Sequence, residues 1–381
     1  MSKELSSFAA RLRDRISSPA GAEVPRLIAQ ERTFSETPHV GCCEDFAALA
    51  LELFAVQFKH NAAYRKICEA RNLTPSNVKQ WTQIPAVPTS AFKELELTSL
   101  TPEERPAVFH SSGTTEQKPS RHFHNAESLA VYEASLWKWF EAHFGSAGDL
   151  IFLTPPPSQA PHSSLIHMFE VVRQRYGLSE SAFRGQVAVD GSWALDFAAV
   201  IFNLQTAGDS DKPVTLLGTA FSFVHLLDEL VEKNLMLQLP PGSRVMETGG
   251  YKNRSRALPK TELHALVTAR LGVPRENIIC EYGMSELSSQ AYDLESKSSK
   301  IRNAERQFHF PPWARVQIIS PETGLEAAEG ETGIIRILDL ANVFSVAAIQ
   351  TEDLGIRRGD GFELIGRARR SEPRGCSLMT A

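Results

Sequence analysis

With 381 residues, of which 42% are hydrophobic and 22% charged, the chain can bury a large core, and its composition excludes both wholesale disorder and a single small domain. Its formal charge of −5, with lysines and arginines scattered along the chain, excludes the basic footprint of a nucleic-acid binder. No run approaches the roughly 20 apolar residues of a membrane span, the charged N-terminus MSKELSSFAARLRDRISS lacks the apolar core of a secretory signal, and five cysteines without CxxC spacing suit a reducing cytoplasmic setting better than a disulfide framework or a zinc site.

In chain order, the sequence opens on helical patterns. Phe46, Leu49, Leu53 and Phe54 recur at helical spacing and predict an amphipathic helix over 44–59. IPAVPTSAFK (84–93) reads as a proline-punctuated loop, because a residue before proline avoids the helical region. HSSGTTEQKPSRH (110–122) follows as a polar loop, and Leu129, Tyr132, Leu136, Trp137 and Phe140 predict a second helix ending near Gly145. Short apolar runs then alternate with helical patterns. The runs are DLIFLTPPP (149–157), PVTLLGTA (213–220), SRVMETGG (243–250) and ENIICEYGMSE (276–286), and the helices fall at 221–233 and 261–271. This alternation predicts an α/β sheet covered on both faces, with ligands at the polar, Gly-rich strand ends. From Trp313 onward, ARVQIIS, GIIRILDL, SVAAIQTEDLGIR and FELIGR are strands joined by short turns, which predicts a small, barrel-like antiparallel subdomain. No repeat or long linker separates these parts, so they read as lobes of one body.

The loop at 110–122 carries the first chemical signal. Small residues let backbone N–H groups converge on an anion, the hydroxyls add donors, Gly113 permits unusual dihedrals, and Lys118 and Arg121 add positive charge. This is the composition of a phosphate-gripping loop without the Walker A pattern; taken alone, a polar surface turn is the favoured reading.

Other segments resolve that ambiguity. SSGTT followed by lysine resembles the phosphate loop of adenylate-forming enzymes, which make acyl-AMP from a carboxylate and ATP. EYGMSE (281–286) looks like that superfamily's YGxTE motif with Ser285 in the threonine position. QTEDLG (350–355) looks like its TGDLG motif, GRARRS (366–371) like its GR-x-x-x-S element, and Gly249–Gly250 after a strand like its adenine-contacting segment. A closer resemblance is to the acyl-protein synthetases, the long-chain-fatty-acid luciferin-component ligases. IPAVPTSAFK, HSSGTT, ETGGYKNRSR (247–256), EYGMSE and the terminal RGCSL (374–378) carry it, from about Ile84 to the end. The likeness to phenylacetate–CoA ligases is similar in kind but weaker.

The resemblance implies an α/β fold: the large N-terminal lobe of the adenylate-forming ligases, mixed sheets flanked by helices plus a small antiparallel β subdomain, without the usual mobile C-terminal domain and its catalytic lysine. The expected divisions are an N-terminal helical region (1–83), an ATP- and acid-binding core (84–304), the antiparallel subdomain (305–366) and a tail (367–381). It implies that Ser111, Ser112, Gly113, Thr114 and Thr115 wrap the β- and γ-phosphates of ATP. Ser285 would bond the α-phosphate, and Glu286 would hold Mg²⁺, a hard cation that takes oxygen ligands. Asp353 and Arg367 would meet the ribose, Gly249, Gly250, Tyr282 and Gly283 would border the adenine, and Lys252 is a candidate phosphate contact. The same residues have plainer readings: Glu286 as a helix N-terminal carboxylate, Asp353 as a turn residue, Arg367 and Lys252 as surface cations, Tyr282 as core.

Three further points complete the expectation. PPPSQAPHSSLIHM (155–168) follows a strand end where this fold lines its acid site, so His162, Ser163 and Ser164 would face the carboxylate. His110, His122 and His124 flank the phosphate loop, but their spacing does not support zinc. Glu116 stands where the family loop has glycine and must point away from the phosphates. The acyl-accepting cysteine implied by the resemblance is Cys376, whose neighbours Arg369, Arg370 and Arg374 favour the nucleophilic thiolate. Cys42, Cys43, Cys68 and Cys280 read as buried small hydrophobes. The expected activity is ATP-dependent activation of a fatty acid, transfer to Cys376, and delivery to a partner such as an acyl reductase or carrier protein. The alternatives are an acyl-CoA or acyl-carrier-protein ligase and a non-catalytic nucleotide-binding subunit.

Overall fold

A computed structural model of the chain describes residues 2–18, 40–111, 118–145, 148–249, 258–294 and 306–368. Helices α1 (Lys3–Ser17), α2 (Val40–His60) and α3 (Ala62–Ala70) come first. A two-residue strand β1 (Val87–Pro88) and a one-turn helix α4 (Ala91–Glu94) lead to a hairpin, β2 (Ala107–His110) and β3 (Arg121–His124). Then come α5 (Ala126–Phe144), β4 (Asp149–Leu153), α6 (Ser164–Arg175), a second hairpin of β5 (Gly185–Val187) and β6 (Trp193–Leu195), and α7 (Phe197–Ser210). A regular alternation follows in β7 (Val214–Thr219), α8 (Ala220–Glu232), β8 (Arg244–Thr248), α9 (Lys260–Leu271) and β9 (Ile278–Tyr282). The last strands are β10 (Ala291–Leu294), β11 (Gln307–His309), β12 (Ala314–Ile319), β13 (Thr332–Asp339), β14 (Ala348–Arg358) and β15 (Gly361–Arg367).

The four apolar runs of the middle of the sequence are β4, β7, β8 and β9, and they pair in parallel in that order. Successive side chains of a strand point to opposite faces, so both faces of these strands can be buried. In β4, Leu150 and Phe152 enter one core cluster while Ile151 and Leu153 enter the other. Helices α7, α8 and α9 supply the second cluster; α1, α2, α5 and α6 supply the first. The antiparallel strands join the same sheet, in the order β12-β13-β14-β15-β11-β10-β9-β8-β7-β4 with β1 added on β14. They continue the same sheet, because β10 pairs with β9 on one side and β11 on the other.

One buried loop ties the N-terminal helices to this sheet. Residues 340–347, between β13 and β14, carry backbone polar groups into the core, where each needs a partner. Gln57 of α2 donates to the carbonyls of Asn342 and Val343 at 2.7 and 3.1 Å and accepts from the Ala347 amide at 3.0 Å. Asn61 donates to the Ser345 carbonyl at 3.2 Å and also caps α3. Among the described residues no helix is long and apolar enough to cross a membrane, and Cys68 and Cys280 are buried free thiols.

Candidate active site

The β2–β3 hairpin brackets the polar loop. His110 pairs with Arg121 at its loop end, and the Ser120 amide donates to the Ser111 hydroxyl at 2.9 Å. Its other end is fixed to α5 by a reciprocal cap: the Ser128 amide donates to the Asn125 side chain at 2.8 Å, and the Asn125 amide to the Ser128 hydroxyl at 2.9 Å. The hairpin therefore enters the core at a set angle. His122 and His124, two residues apart on one face of β3, are both buried with ring centroids 4.2 Å apart.

That buried face meets the segment after β9. His122 donates from Nδ1 to the Ser285 carbonyl at 2.9 Å, and the Ser120 and Ser285 hydroxyls lie 3.4 Å apart. Ser285 donates to Glu286 at 3.1 Å. The segment is held from below by Asp339 and Asn342. Asp339 accepts from the Ser288 amide and the Ser289 hydroxyl at 2.9 and 2.8 Å, and Asn342 donates to the Glu286 carbonyl at 2.9 Å. Glu286 is 5% exposed. Burial pushes its carboxyl up, while the hydroxyls of Ser120 and Ser285 and the nearby charge of Lys93 favour the ionised form.

Three residues before Ser285, Tyr282 joins the third segment. Its hydroxyl donates to Asp353 of β14 at 2.9 Å, and its ring packs among Phe308, Phe310 and Phe362. The ring is 7% exposed, so the role visible for Tyr282 is to position Asp353. Asp353 lies opposite Arg367 in the β14–β15 ladder, and their charged groups approach to 3.6 Å with Arg367 largely exposed. Burial raises the Asp353 carboxyl, against the Tyr282 bond and the Arg367 charge. Gly249 closes β8 at φ +72° with open space where a side chain would stand, and Gly283 could not take a Cβ without meeting the Glu281 carboxyl. Both glycines leave backbone bare at the carboxyl ends of the parallel strands, where this fold class binds ligands.

Of the sequence-predicted site residues, Ser111, Gly249, Tyr282, Gly283, Ser285, Glu286, Asp353 and Arg367 are placed by the structure, and all belong to this junction of β2, β8, β9, β14 and β15. Ser112, Gly113, Thr114, Thr115, Glu116, Gly250, Lys252 and Cys376 lie outside the described residues. The two cations expected behind the loop are engaged elsewhere: Lys118 pairs with Glu94 at 3.3 Å and Arg121 approaches Glu96 at 3.6 Å. His162 stacks on His110 at 4.8 Å and donates to the Val108 carbonyl at 3.1 Å, so the segment after β4 runs along the hairpin edge. Ser163 serves as the cap of α6, accepting from the Ile166 amide at 3.3 Å.

Four residues of the site escaped the sequence reading. Ser120 bridges Ser111 and Ser285, and the charge of Lys93 favours the ionised form of Glu286. Glu281 is buried at the end of β9 with a hydrogen bond from Thr248, its register partner on β8. Burial, with Glu247 nearby, pushes the Glu281 carboxyl up to about 7. Only the EYGMSE and ETGG patterns hinted at Glu281 and Thr248. Among the described residues no group of three or more His, Cys, Asp or Glu side chains could hold a metal ion alone. The oxygens around Glu286 nonetheless suit Mg²⁺, since a carboxylate and the Ser120 and Ser285 hydroxyls are all hard donors, and Mg²⁺ is normally completed by substrate phosphates.

A mixed sheet with bare glycines at its parallel strand ends, a serine-edged hairpin loop, and an acidic residue on the antiparallel strands defines the large lobe of an adenylate-forming ligase. Two solved structures of 2-hydroxyisobutyryl-CoA ligase share the fold. The one in the thioesterification state, with 2-HIB-AMP and CoA, has a TM-score of 0.62 at 14% identity over 87% of this chain and 69% of that chain; the open conformation has a TM-score of 0.58 over 86% and 73%. The chain belongs to the LuxE acyl-protein synthetase family, whose profile matches residues 43–381, and is thus a ligase. It is 25% identical to the long-chain-fatty-acid–luciferin-component ligase of Aliivibrio fischeri, across 95% of this chain and 94% of that one. It is 24% identical to the ligase of the same name from Vibrio harveyi, across 94% and 93%.

Proposed function

We propose that this chain uses ATP to convert a long-chain fatty acid to acyl-AMP, then carries the acyl group on Cys376 to a partner protein, an acyl reductase or a carrier protein. The observation that supports adenylation is the meeting of three distant segments: Ser120 with Ser285 at 3.4 Å, Ser285 with Glu286 at 3.1 Å, and Tyr282 with Asp353 at 2.9 Å. The names of the relatives support the fatty acid.

A carboxylate is a poor acyl donor because its oxygen is a bad leaving group. In the first step a carboxylate oxygen attacks the α-phosphorus, the bond to the bridging oxygen breaks, and pyrophosphate leaves with that electron pair. Ser285 donates to an α-phosphate oxygen, Ser111 to Thr115 cradle the outer phosphates, and Asp353 with Arg367 holds the ribose. Mg²⁺ held by Glu286 would neutralise charge on the pyrophosphate. These residues position and neutralise, which is most of what phosphoryl chemistry asks of a protein. In the second step the Cys376 thiolate attacks the acyl carbon, the bond to AMP breaks, AMP leaves with the electron pair, and a thioester remains; the thiol proton has gone to solvent.

Exchange of radiolabelled pyrophosphate into ATP, driven by a panel of straight-chain and aryl acids, tests adenylation. The expected result is exchange with long straight-chain acids. No exchange with any acid contradicts it and favours a non-catalytic nucleotide-binding subunit. Cys376→Ser should keep exchange and lose covalent acyl label; a variant that still takes label overturns the self-acylation step and favours delivery to coenzyme A or a carrier.

A further inference from the structure

Ser120 stands just before β3, and the fold sets it against two parts of the site at once. Its amide donates to the Ser111 hydroxyl at 2.9 Å and its carbonyl accepts from the Ser111 amide at 3.3 Å, so the pair closes the base of the polar loop. Its hydroxyl lies 3.4 Å from the Ser285 hydroxyl, and two residues further on His122 bonds the Ser285 carbonyl at 2.9 Å. One short stretch of chain thus holds Ser285 at two points, His122 at the backbone and Ser120 at the side chain. Ser120, Ser285 and Glu286 are all buried, so their polar atoms find partners in the protein or in a ligand.

Counting protons gives the contact between the two serines a direction. A hydroxyl has one proton to donate and two lone pairs to offer. Ser285 directs its proton at Glu286, at 3.1 Å, so between the serines Ser120 is the donor. The three side chains form a chain of donors, Ser120 to Ser285 to Glu286. The 3.4 Å link is long for two hydroxyls, as catalytic hydrogen bonds often are before a substrate binds. For Ser285 to donate to an α-phosphate oxygen, its proton must turn away from Glu286. We propose that Ser120 is the positioning residue for that turn: its donated hydrogen bond holds the Ser285 oxygen in place while the Ser285 proton swings from Glu286 to the phosphate. This rests on the adenylation reading above and adds to it a residue that acts only through Ser285.

The test is a double-mutant cycle over Ser120→Ala, Ser285→Ala and the pair, read by AMP affinity in calorimetry and by the rate of pyrophosphate exchange. AMP presents the α-phosphate without the outer ones. Loss of one donor to developing charge commonly slows a reaction about a hundredfold, which is the slowing expected of Ser285→Ala. The proposal expects Ser120→Ala to weaken AMP binding about fivefold and to slow exchange about tenfold. It expects the double variant to match Ser285→Ala within about twofold in both readings, because Ser120 then has nothing left to position. Losses that add, giving a double variant about a thousandfold slower, overturn it and mark Ser120 as a support of the hairpin. AMP affinity and exchange of Ser120→Ala within about twofold of the unsubstituted chain overturn it as well. If the unsubstituted chain exchanges with no acid, the adenylation reading fails, while AMP affinity across the same variants still decides whether Ser120 acts through Ser285. Failure of the unsubstituted chain to bind AMP overturns the proposal.

Discussion

At the scale of single residues, Glu281 is a buried carboxyl that accepts a hydrogen bond from the Thr248 hydroxyl. The folded chain holds its proton up to about pH 7, whereas the ordinary value is 4.5. Because the folded state binds more protons than the unfolded state across that window, the contribution of Glu281 to stability is greatest below about pH 4.5 and falls as pH rises to 7. The shift corresponds to about 3 kcal/mol. Asp339, raised to about 6 by burial, acts in the same sense, while His122 and His143, lowered from 6.5 to about 4, act oppositely between those values. Glu281→Gln keeps an acceptor for Thr248 without the titration. Melting temperature followed from pH 5 to 8 should therefore fall less steeply with rising pH in Glu281→Gln than in the unsubstituted chain. Parallel curves would show that Glu281 titrates normally. The sequence made Glu286 and Asp353 visible because they sit in motifs, but Glu281 looked like one more strand residue: only the register that puts it across from Thr248 reveals a buried acid.

At the scale of elements, the 340–347 loop links the N-terminal helices to the site. Gln57 satisfies two carbonyls and one amide of that loop, and Asn342 of the same loop supports Glu286. Gln57→Ala leaves those groups buried without their partner and should cost about 3 kcal/mol, read by urea denaturation. A loss under about 0.5 kcal/mol, the size of an ordinary surface substitution, would show that the loop is held by other means. These links span more than 280 residues, and no local pattern signals them. The same limit hid β2 and β3. Their four-residue strands carry His and Arg where alternation would need apolar side chains, so residues 110–122 read as loop. Helices α2, α5, α8 and α9 were legible because their apolar residues recur at helical spacing against a core.

At the scale of the whole molecule, the parallel half of the sheet was legible because strands buried on both faces must be continuous apolar runs, as in β4, β7, β8 and β9. That the antiparallel strands continue this sheet was not, since β10 and β11 are short and their pairing is set by tertiary contact. The continuity has a functional result. It holds β14, with Asp353, at a fixed offset from the strand ends that carry Gly249 and Glu286, and under the proposed function one nucleotide would span the parallel and antiparallel halves. The central claim is that these segments form a single nucleotide cradle. The most direct measurement is a crystal structure with a non-hydrolysable ATP analogue. The account predicts the ribose on Asp353 and Arg367 and the phosphates between Ser111, Ser120 and Ser285. A nucleotide bound away from Ser285 and Asp353, with those residues untouched, would contradict it.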